Sequence, residues 1–361
     1  MQIKFEPSYT LTPKIATCLM RIEAIKEKIA HLPLTPTVLS SLRETARLFT
    51  THYSTMIEGN KLGPDQVEGV LKYGGHFPGR ERDELEIKGY YAALDRAEKW
   101  ASAKEKITER TIQTLHALVM SEGKVSVKPT KYRDGHNVIR DARTKAIIYM
   151  PPEAKDVGKL MAALVVWMDQ NQQLPCPIVA SIAHYQLATI HPYYDGNGRI
   201  ARLLTTFILH LGGYDLKGLY SLEEYYARNL GAYYEALSIG DSHNYYFGRE
   251  KADITKWMEY FIEGMMVSFE NVLKHMALVQ SSTDQSSLIR ALDARQRRAL
   301  QLFQEFETVT SHQIGELFGF KPRTSAALCS QWVKNGFLIV ADPSNKGRKY
   351  KLSKKYHGLH T

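Results

Sequence analysis

The sequence has few cysteines, no long hydrophobic run and no internal repeat. Its three cysteines, Cys18, Cys176 and Cys329, are widely spaced and form no CxxC pair, which argues against a disulfide framework or a zinc site. The longest apolar runs, residues 160–168 and 203–211, fall far short of the about 20 residues that cross a bilayer. The first residues also lack the unbroken apolar stretch of a secretory signal. We therefore expect a cytoplasmic protein without a membrane partner.

The composition is otherwise that of an ordinary soluble protein, with uneven charge. The 361 residues include 44% hydrophobic and 24% charged side chains, which suits two or three globular domains. The net charge is +9, and residues 290–361 hold thirteen Lys/Arg against five Asp/Glu, a balance of +8. This asymmetry indicates an electrostatic role for the C-terminal part, with nucleic acid as the leading partner.

Hydrophobic periodicity predicts a mostly α fold. Predicted helices cover residues 38–58, 64–73, 82–101, 107–120, 156–170, 178–190 and 197–211. Two short β-rich runs around a polar tip predict a hairpin over residues 137–150. Residues 280–287, rich in Ser, Gln and Thr, are the best linker candidate. We divide the chain into a helical region over residues 1–105, a core over 106–279 and a C-terminal domain over 290–361.

Residues 190–202 read I-H-P-Y-Y-D-G-N-G-R-I-A-R. Pro192 disfavours the helical conformation at His191, so the preceding helix should end there with the imidazole at its rim. The tight turn at residues 195–198 feeds the next helix, whose free N–H groups and positive dipole end form an anion site. Arg199 and Arg202 share a face of its first turn, where the dipole disfavours cations, so an anionic partner is expected. Together these residues offer a base, a metal ligand and a polyphosphate clamp.

This segment resembles the Fic family signature H-x-F-x-[DE]-G-N-G-R-x-x-R, with Tyr193 in place of phenylalanine. The resemblance implies a helical Fic core that transfers AMP from Mg-ATP to a Ser, Thr or Tyr hydroxyl of a target protein, and also to itself. It implies these roles: His191 as general base, Asp195 as Mg²⁺ ligand, Gly196, Asn197 and Gly198 as the phosphate cradle, and Arg199 and Arg202 as further phosphate ligands.

Two further elements match the family in their order. The hairpin resembles the flap that aligns an extended target segment by main-chain pairing. An ordinary surface hairpin is the alternative. The resemblance favours Tyr233 and Tyr234 for stacking on adenine. Tyrosines at helical spacing are also common in plain cores, so both interpretations stay open.

Residues 54–59 match the family's inhibitory pattern, [ST]-x-x-x-E-[GN]. Ser54 and Glu58 share a helix face, and Glu58 lies at the C-terminal end, where the dipole disfavours an anion and a cationic partner is expected. By the resemblance that partner is Arg202. Their pairing would occupy the guanidinium that the γ-phosphate needs. The inhibitory helix lies on the same chain, but a homodimer supplying it in trans stays open.

The C-terminal domain resembles a winged helix-turn-helix. Helices are predicted over residues 293–307, 311–317 and 322–335, and strands over 337–340 and 349–352. The recognition helix and wing would carry Arg323, Lys334, Lys346, Arg348 and Lys349, which suit phosphate contacts. DNA binding and protein docking both remain open for this domain.

Three functions are weighed. The first is a protein adenylyltransferase inhibited by Glu58. The second is a hydrolase that removes AMP, with Glu58 positioning water beside His191. The third is a DNA-binding regulator with the core as a nucleotide sensor. The intact base and both arginines favour the enzyme, because a pure sensor need not keep a base. Other transferred groups occur in the family, and the complete G-N-G-R favours ATP as an AMP donor.

Overall fold

The computed structural model describes residues 4–31, 36–124, 126–141, 144–240, 242–280, 292–342, 344 and 347–359. The chain forms two compact units. The first comprises residues 1–27 and 46–269, and the second comprises residues 28–45 and 270–361. The boundary that we placed between residues 105 and 106 therefore lies inside one compact unit.

The described chain is mostly helical, as the periodicity predicts. Up to residue 280 the helices are α1 (Pro13–Ala30), α2 (Pro36–Ile57), α3 (Pro64–Tyr73), α4 (Glu81–Ser102), α5 (Glu109–Val119), α6 (Ala154–Gln170), α7 (Cys176–Ile190), α8 (Asn197–Leu211), α9 (Leu222–Arg228), α10 (Leu230–Leu237) and α11 (Thr255–Gln280). A 3-10 turn covers Leu216–Gly218 and a π-helical turn covers Tyr245–Arg249.

The core of the first unit is built around α7 and α8, which pack against each other. Nearly every side chain of α7 is buried, because the helix is apolar on all sides and other elements cover it. α8 packs in turn against α4 and α5. From α11, the Trp257 indole N–H donates to the carbonyl oxygen of Ser181 at 2.8 Å. The loop between α7 and α8 is therefore held at both ends by buried helices.

The predicted hairpin is present as two antiparallel strands, β1 (Ile139–Arg140) and β2 (Ile147–Tyr149). Beyond β2, the N–H of Met150 donates to the carbonyl oxygen of His243 at 2.8 Å, and its carbonyl oxygen accepts from the N–H of Tyr245 at 3.0 Å. The Tyr149 hydroxyl donates to the carbonyl oxygen of Thr189 at 2.7 Å. These bonds fix the base of the hairpin beside the end of α7.

The second unit carries short helices and one small sheet. From residue 292 the elements are α12 (Ala294–Ala299), α13 (Leu302–Glu305), β3 (Val309–Thr310), α14 (Ser311–Phe318), α15 (Pro322–Lys334), β4 (Leu338–Asp342), β5 (Lys349–Leu352) and a 3-10 turn, Lys354–Leu359. The sheet is antiparallel in the order β3–β5–β4. The sequence predicts one helix where α12 and α13 stand, and it predicts no strand at β3.

Several element bounds agree with the periodicity. α3 and α8 have the predicted bounds, and α2 ends at Ile57, one residue before the predicted end. Gly59 follows with φ +97°, a left-handed conformation that glycine adopts without strain. The predicted linker from residue 281 on and Lys346 lie outside the described residues. None of the described helices is both long and apolar enough to span a bilayer.

Buried histidines make the stability of the first unit depend on pH, and His184 and His116 are two of them. His184 of α7 is fully buried, with Nδ1 2.9 Å from Thr205 Oγ1 and Nε2 3.0 Å from the Tyr233 hydroxyl. Burial, with the charge of Arg202 acting in the same direction, lowers the pKa of His184 to about 3. Burial also lowers the pKa of His116 in α5 to about 4. Both rings are therefore neutral well below the usual titration range of histidine.

We expect the first unit to lose stability as the pH falls below about 6.5, because the unfolded chain binds protons that these buried rings do not. Each ring should lower the free energy of unfolding by about 2 kcal/mol at pH 5 relative to pH 7.5. Urea unfolding followed by tryptophan fluorescence measures the difference. His116→Gln cannot titrate at this position and should show a shallower pH dependence. The same dependence in both proteins would contradict the assignment.

Candidate active site

The loop over residues 191–196 takes its shape from two positions with positive φ. His191 ends α7 with φ +52° and ψ +59°, so the helix stops before Pro192 as predicted. The left-handed conformation costs a residue with a Cβ about 1 kcal/mol, so neighbouring contacts must hold it. Gly196, directly before the first residue of α8, has φ +77°. Glycine adopts this left-handed conformation without that cost.

The side chain of Asn197 closes the loop from the α8 side. Its Oδ1 accepts the N–H of Tyr193 at 2.9 Å, and its Nδ2 donates to the carbonyl oxygen of Tyr193 at 2.8 Å. Because both ends of the amide are used in this way, the side chain positions the loop. A phosphate contact by Asn197 rests on its backbone N–H.

Arg133, which the sequence reasoning missed, holds the loop from the other side. Its Nε donates to the carbonyl oxygen of His191 at 2.9 Å, and its backbone N–H donates to the carbonyl oxygen of Pro192 at 2.9 Å. The same guanidinium donates to the carbonyl oxygens of Gly135 and Pro152. Arg133 is 3% exposed, so it joins the loop over residues 191–196 to both ends of the hairpin segment from a buried position.

Among the described residues, only one ring nitrogen of His191 has a hydrogen-bond partner. Its Nδ1 lies 3.4 Å from the carbonyl oxygen of Ala188. A carbonyl oxygen only accepts, so Nδ1 carries the proton and Nε2 carries the lone pair. Burial lowers the pKa of His191 to about 4, and the charge of Arg133 acts in the same direction. At neutral pH the ring is therefore uncharged and able to accept a proton at Nε2.

Asp195 and Arg199 form an ion pair at the start of α8. Arg199 Nη2 lies 3.2 Å from Asp195 Oδ1, which also accepts the N–H of Gly196 at 2.6 Å. Asp195 Oδ2 has no hydrogen-bond partner within the described part of the chain, and the side chain is 57% exposed. The described residues contain no group of three or more His, Cys, Asp or Glu that would hold a metal. Mg²⁺ needs only one or two protein carboxylates when phosphates and water complete its shell, and Asp195 fits that requirement.

The first turn of α8 offers backbone N–H groups to an anion. The first hydrogen bond of this helix runs from the N–H of Ile200 to the carbonyl oxygen of Gly196 at 2.9 Å. The N–H groups of Asn197, Gly198 and Arg199 precede it and stay available. The positive end of the helix dipole adds to their attraction for a phosphate.

Arg202 is buried, and it binds Ser54 in α2 and Glu58, which directly follows α2. Its Nε donates to Ser54 Oγ at 2.9 Å, and its Nη2 donates to the Ser54 carbonyl oxygen at 2.8 Å and to Glu58 Oε1 at 2.7 Å. Burial opposes the charge, yet Glu58 and nearby tyrosine hydroxyls raise the pKa of Arg202 above its usual value. The structure thus brings the predicted inhibitory residues and Arg202 together within one chain.

Glu58 has room beside α8 because Gly198 has no side chain. A Cβ at Gly198 would collide with Glu58 Oε1 and would lie 3.1 Å from Arg202 Nη1. The glycine therefore allows either the carboxylate or a phosphate to approach this turn closely.

Tyr233 does not have the predicted role in adenine stacking. Its side chain is 2% exposed, its ring stacks on Tyr226 with centroids 4.7 Å apart, and its hydroxyl contacts His184. A ring enclosed in this way has no face for a nucleotide. The hydroxyl helps raise the pKa of Arg202, so Tyr233 supports the guanidinium from the protein interior.

Tyr234 is placed differently from Tyr233. Its side chain is 47% exposed, and its hydroxyl lies 3.4 Å from the carbonyl oxygen of Ile57, next to Glu58. An exposed ring beside the end of α2 keeps a face for a ligand. Stacking by Tyr234 stays a prediction.

His116 also contacts the loop and was not predicted. Its ring stacks on Tyr193, with centroids 3.6 Å apart and 14° between the planes, and its Nε2 donates to the carbonyl oxygen of Asp195 at 2.9 Å. Tyr193 is 2% exposed, so the tyrosine anchors the loop in the core as an aromatic residue should. A lone histidine on α5 gives no pattern from which this contact follows.

Two adjoining clefts make the site accessible. A cleft of about 360 Å³ includes Asp195 and Arg199 in its lining. Another, of about 310 Å³, includes Glu58. Arg82 and Glu86 of α4 line both. The residues next to the anion site are therefore open to a ligand.

Solved structures share this fold. The chain resembles a Fic family protein from Desulfovibrio desulfuricans G20 with a TM-score of 0.62 and 24% identity, over 97% of this chain and 99% of that one. It resembles a segment of Fic-1 from Caenorhabditis elegans with a TM-score of 0.58 and 20% identity, over 75% of this chain and 74% of that one. At these identities the likeness is one of fold.

Sequence relatives carry an enzymatic name. The protein adenylyltransferase fic-1 of Caenorhabditis briggsae is 31% identical over 216 residues, which are 58% of this chain and 41% of that protein. Its Caenorhabditis elegans counterpart is 27% identical over 265 residues, 71% of this chain and 49% of that protein. The chain thus spans less than half the length of these relatives. The loop over residues 191–196 and the first turn of α8 lie within residues 106–209, and this segment matches the Fic/DOC family.

Proposed function

We propose that the protein is an adenylyltransferase that moves AMP from ATP to a hydroxyl side chain of a protein, itself included, and that Glu58 holds it inactive. One observation carries the proposal: a neutral His191 with a free Nε2 lies on the same loop as the anion site that begins α8. The relatives named protein adenylyltransferases support AMP as the transferred group and protein as the acceptor.

In the proposed reaction, His191 Nε2 takes the proton of the attacking Ser, Thr or Tyr hydroxyl. The hydroxyl oxygen forms a bond to the α-phosphorus while the bond to the bridging oxygen breaks, and diphosphate leaves. The proton on His191 then passes to solvent. The loop contacts of Arg133 and Asn197 keep the ring in position for this step.

Asp195 would hold the magnesium ion that accompanies ATP, through the oxygen that has no protein partner. When bound, Mg²⁺ neutralises charge on the phosphates. The N–H groups at the start of α8 and Arg199 would bind the α- and β-phosphates, and Arg202 would bind the γ-phosphate. Each of these protein groups faces or borders the same turn.

Glu58 competes with the γ-phosphate for Arg202. An isolated buried guanidinium is strongly unfavourable, so Arg202 needs an anionic partner in either state. The Glu58 carboxylate meets that need at 2.7 Å, and ATP must displace it to bind productively. The pair forms within one chain, so we propose inhibition in cis, which needs no homodimer.

The hairpin would receive the target. Strands add to an exposed sheet edge by main-chain hydrogen bonds, while pockets select side chains. On β2, Ile147 and Ile148 are about half exposed, so this strand also offers apolar contact to an extended segment. Its base is fixed beside His191, which would bring an aligned hydroxyl near the base.

We expect Glu58→Gly to raise auto-adenylylation by about tenfold to a hundredfold, because it removes a charge-assisted pair worth about 1.5 to 3 kcal/mol. Retention of label from ATP carrying a radioactive α-phosphate measures the transfer. Glu58→Gln keeps the size of the side chain and loses its charge, so its labelling should fall between that of wild type and that of Glu58→Gly. His191→Ala in the Glu58→Gly background should abolish labelling. Glu105→Gly, at an exposed position, is the matched control. Labelling of Glu105→Gly equal to that of Glu58→Gly would contradict inhibition by Glu58.

Removal of AMP is the second candidate activity. Glu58 Oε2 has no hydrogen-bond partner within the described residues, and its charge acts on His191. A water held there would lie beside the base. Its oxygen would form a bond to the phosphorus of the AMP group while His191 Nε2 accepts its proton, and the bond from that phosphorus to the acceptor oxygen of the modified protein would break as this oxygen takes the proton from His191.

The two activities predict opposite effects of Glu58→Gly. If the protein removes AMP, wild type should release AMP from adenylylated Glu58→Gly protein added as substrate, and an enzyme with both Glu58→Gly and His191→Ala should not. Chromatographic detection of free AMP measures the release. No release by wild type would leave transfer as the activity of this site.

We infer that the C-terminal region is a winged helix-turn-helix that binds DNA. α14 and α15 supply the two helices, and the strands β4 and β5 supply the wing. The exposed face of α15 carries small and polar side chains: Thr324, Ala326, Ala327, Ser330 and Gln331. Such residues allow close approach to base edges, and glutamine pairs with adenine. Arg323, Lys334, Arg348 and Lys349 are exposed around this face, where phosphate contacts belong.

The basic residues predict salt-dependent binding to duplex DNA. Arg323→Ala and Lys334→Ala should each lower the affinity and reduce the slope of log K against log salt by about 1. Fluorescence anisotropy with the full chain and a mixed-sequence duplex measures both. Lys159→Ala, an exposed lysine of α6, removes the same charge elsewhere and should change little. Equal losses for all three variants would show only a general charge effect and would refute this surface.

A further inference from the structure

We propose that His116 is a positioning residue that locks the peptide between Asp195 and Gly196 and thereby aims the Asp195 carboxylate at the metal of the substrate. The inference rests on the proposed function of this loop and adds to it a residue outside the motif. His116 lies on α5, and its link to the loop spans 79 positions of the sequence.

The decisive feature is that one peptide plane makes two hydrogen bonds. Its carbonyl oxygen, from Asp195, accepts from His116 Nε2 at 2.9 Å. Its N–H, from Gly196, donates to Asp195 Oδ1 at 2.6 Å. Because the peptide is planar, the direction of the carbonyl fixes the direction of the N–H. Together with Arg199 Nη2, which lies 3.2 Å from Oδ1, the bond from His116 therefore sets where Oδ1 is held and where Oδ2 points.

This peptide needs an external lock because of Gly196. Glycine takes φ values of either sign at little cost, so nothing at Gly196 itself prevents rotation of the plane. The position still requires glycine: φ is +77°, and a Cβ would lie 3.1 Å from both His116 Nε2 and Met120 Sδ. The backbone at Gly196 thus allows the peptide plane to rotate, and the hydrogen bond from His116 opposes this rotation.

The His116 ring is itself firmly placed. It is 4% exposed and stacks on Tyr193 at 3.6 Å. Tyr193 is fixed in turn by the two main-chain bonds from Asn197. Because the ring is buried and stacked in this way, its Nε2–H points in one direction, toward the Asp195 carbonyl.

Two substitutions separate the donor from the ring. His116→Phe keeps an aromatic ring against Tyr193 and loses the N–H. His116→Gln loses the ring and keeps an N–H at the reach of Nε2. Both are placed in the Glu58→Gly background, and the dissociation constant of ATP is measured by calorimetry with magnesium and with EDTA. The ratio of the two constants reports the contribution of the metal, independently of turnover.

We expect His116→Phe to reduce this ratio by about tenfold, because that factor corresponds to the loss of one hydrogen bond. The dissociation constant of ATP in EDTA should stay unchanged. His116→Gln should keep most of the ratio. Tyr132→Phe is the control, because Tyr132 packs near Tyr193, with ring centroids 5.7 Å apart, and does not touch Asp195. It should behave as the Glu58→Gly parent.

Three results would overturn the inference. The first is a ratio of the two dissociation constants in His116→Phe that equals the ratio in the Glu58→Gly parent. The second is an equal loss in both variants, which would assign the effect to packing. The third is a loss in a His116→Gln protein that melts at the parental temperature. Absence of ATP binding by the Glu58→Gly parent would instead refute the proposed function itself.

Discussion

The buried guanidinium of Arg202 is the constraint on which the site depends. A cation removed from water must keep acceptors beside it, because an unpaired buried charge costs several kcal/mol. Ser54 and Glu58 supply them at the end of the α2 helix, and the Tyr233 hydroxyl acts from the interior. Under the proposed function, the position of this helix end and the binding of a phosphate at α8 are therefore linked, because both depend on which anion pairs with Arg202.

The loop before α8 depends on side chains from distant parts of the chain. Two of its positions have positive φ, and such a backbone keeps its shape only when surrounding contacts determine it. Asn197, His116 and Arg133 do so by binding main-chain groups of the loop. Because these supports bind the backbone, they leave His191 Nε2 and Asp195 Oδ2, the atoms that the proposed reaction uses, without a hydrogen-bond partner among the described residues.

Sequence reasoning worked where structure follows from neighbours along the chain. Pro192 and Gly196 mark the end of α7 and the start of α8 by local rules, and the long helices follow from periodicity. For Tyr233 the sequence left both adenine stacking and core packing open, because helical spacing does not distinguish a ring that packs inward from one that faces a ligand; the structure places this ring in the core. His116 and Arg133 reach the loop across 79 and 58 positions and have no local pattern. β3 has two residues, too few to show alternation.

Under the proposed function, binding of Mg-ATP exchanges the ionic partners of the charged side chains in the site. Asp195 holds Arg199 and Glu58 holds Arg202, each through one carboxylate oxygen. In the proposed complex the metal takes Asp195, which frees Arg199 for a phosphate, so no group of this pair is left without a partner. Arg202 can take a phosphate only when Glu58 leaves, and Glu58 then stands unpaired at a helix end whose dipole disfavours an anion. Under the proposed function, this asymmetry accounts for inhibition by the pair at Arg202 and for its absence at the pair of Arg199.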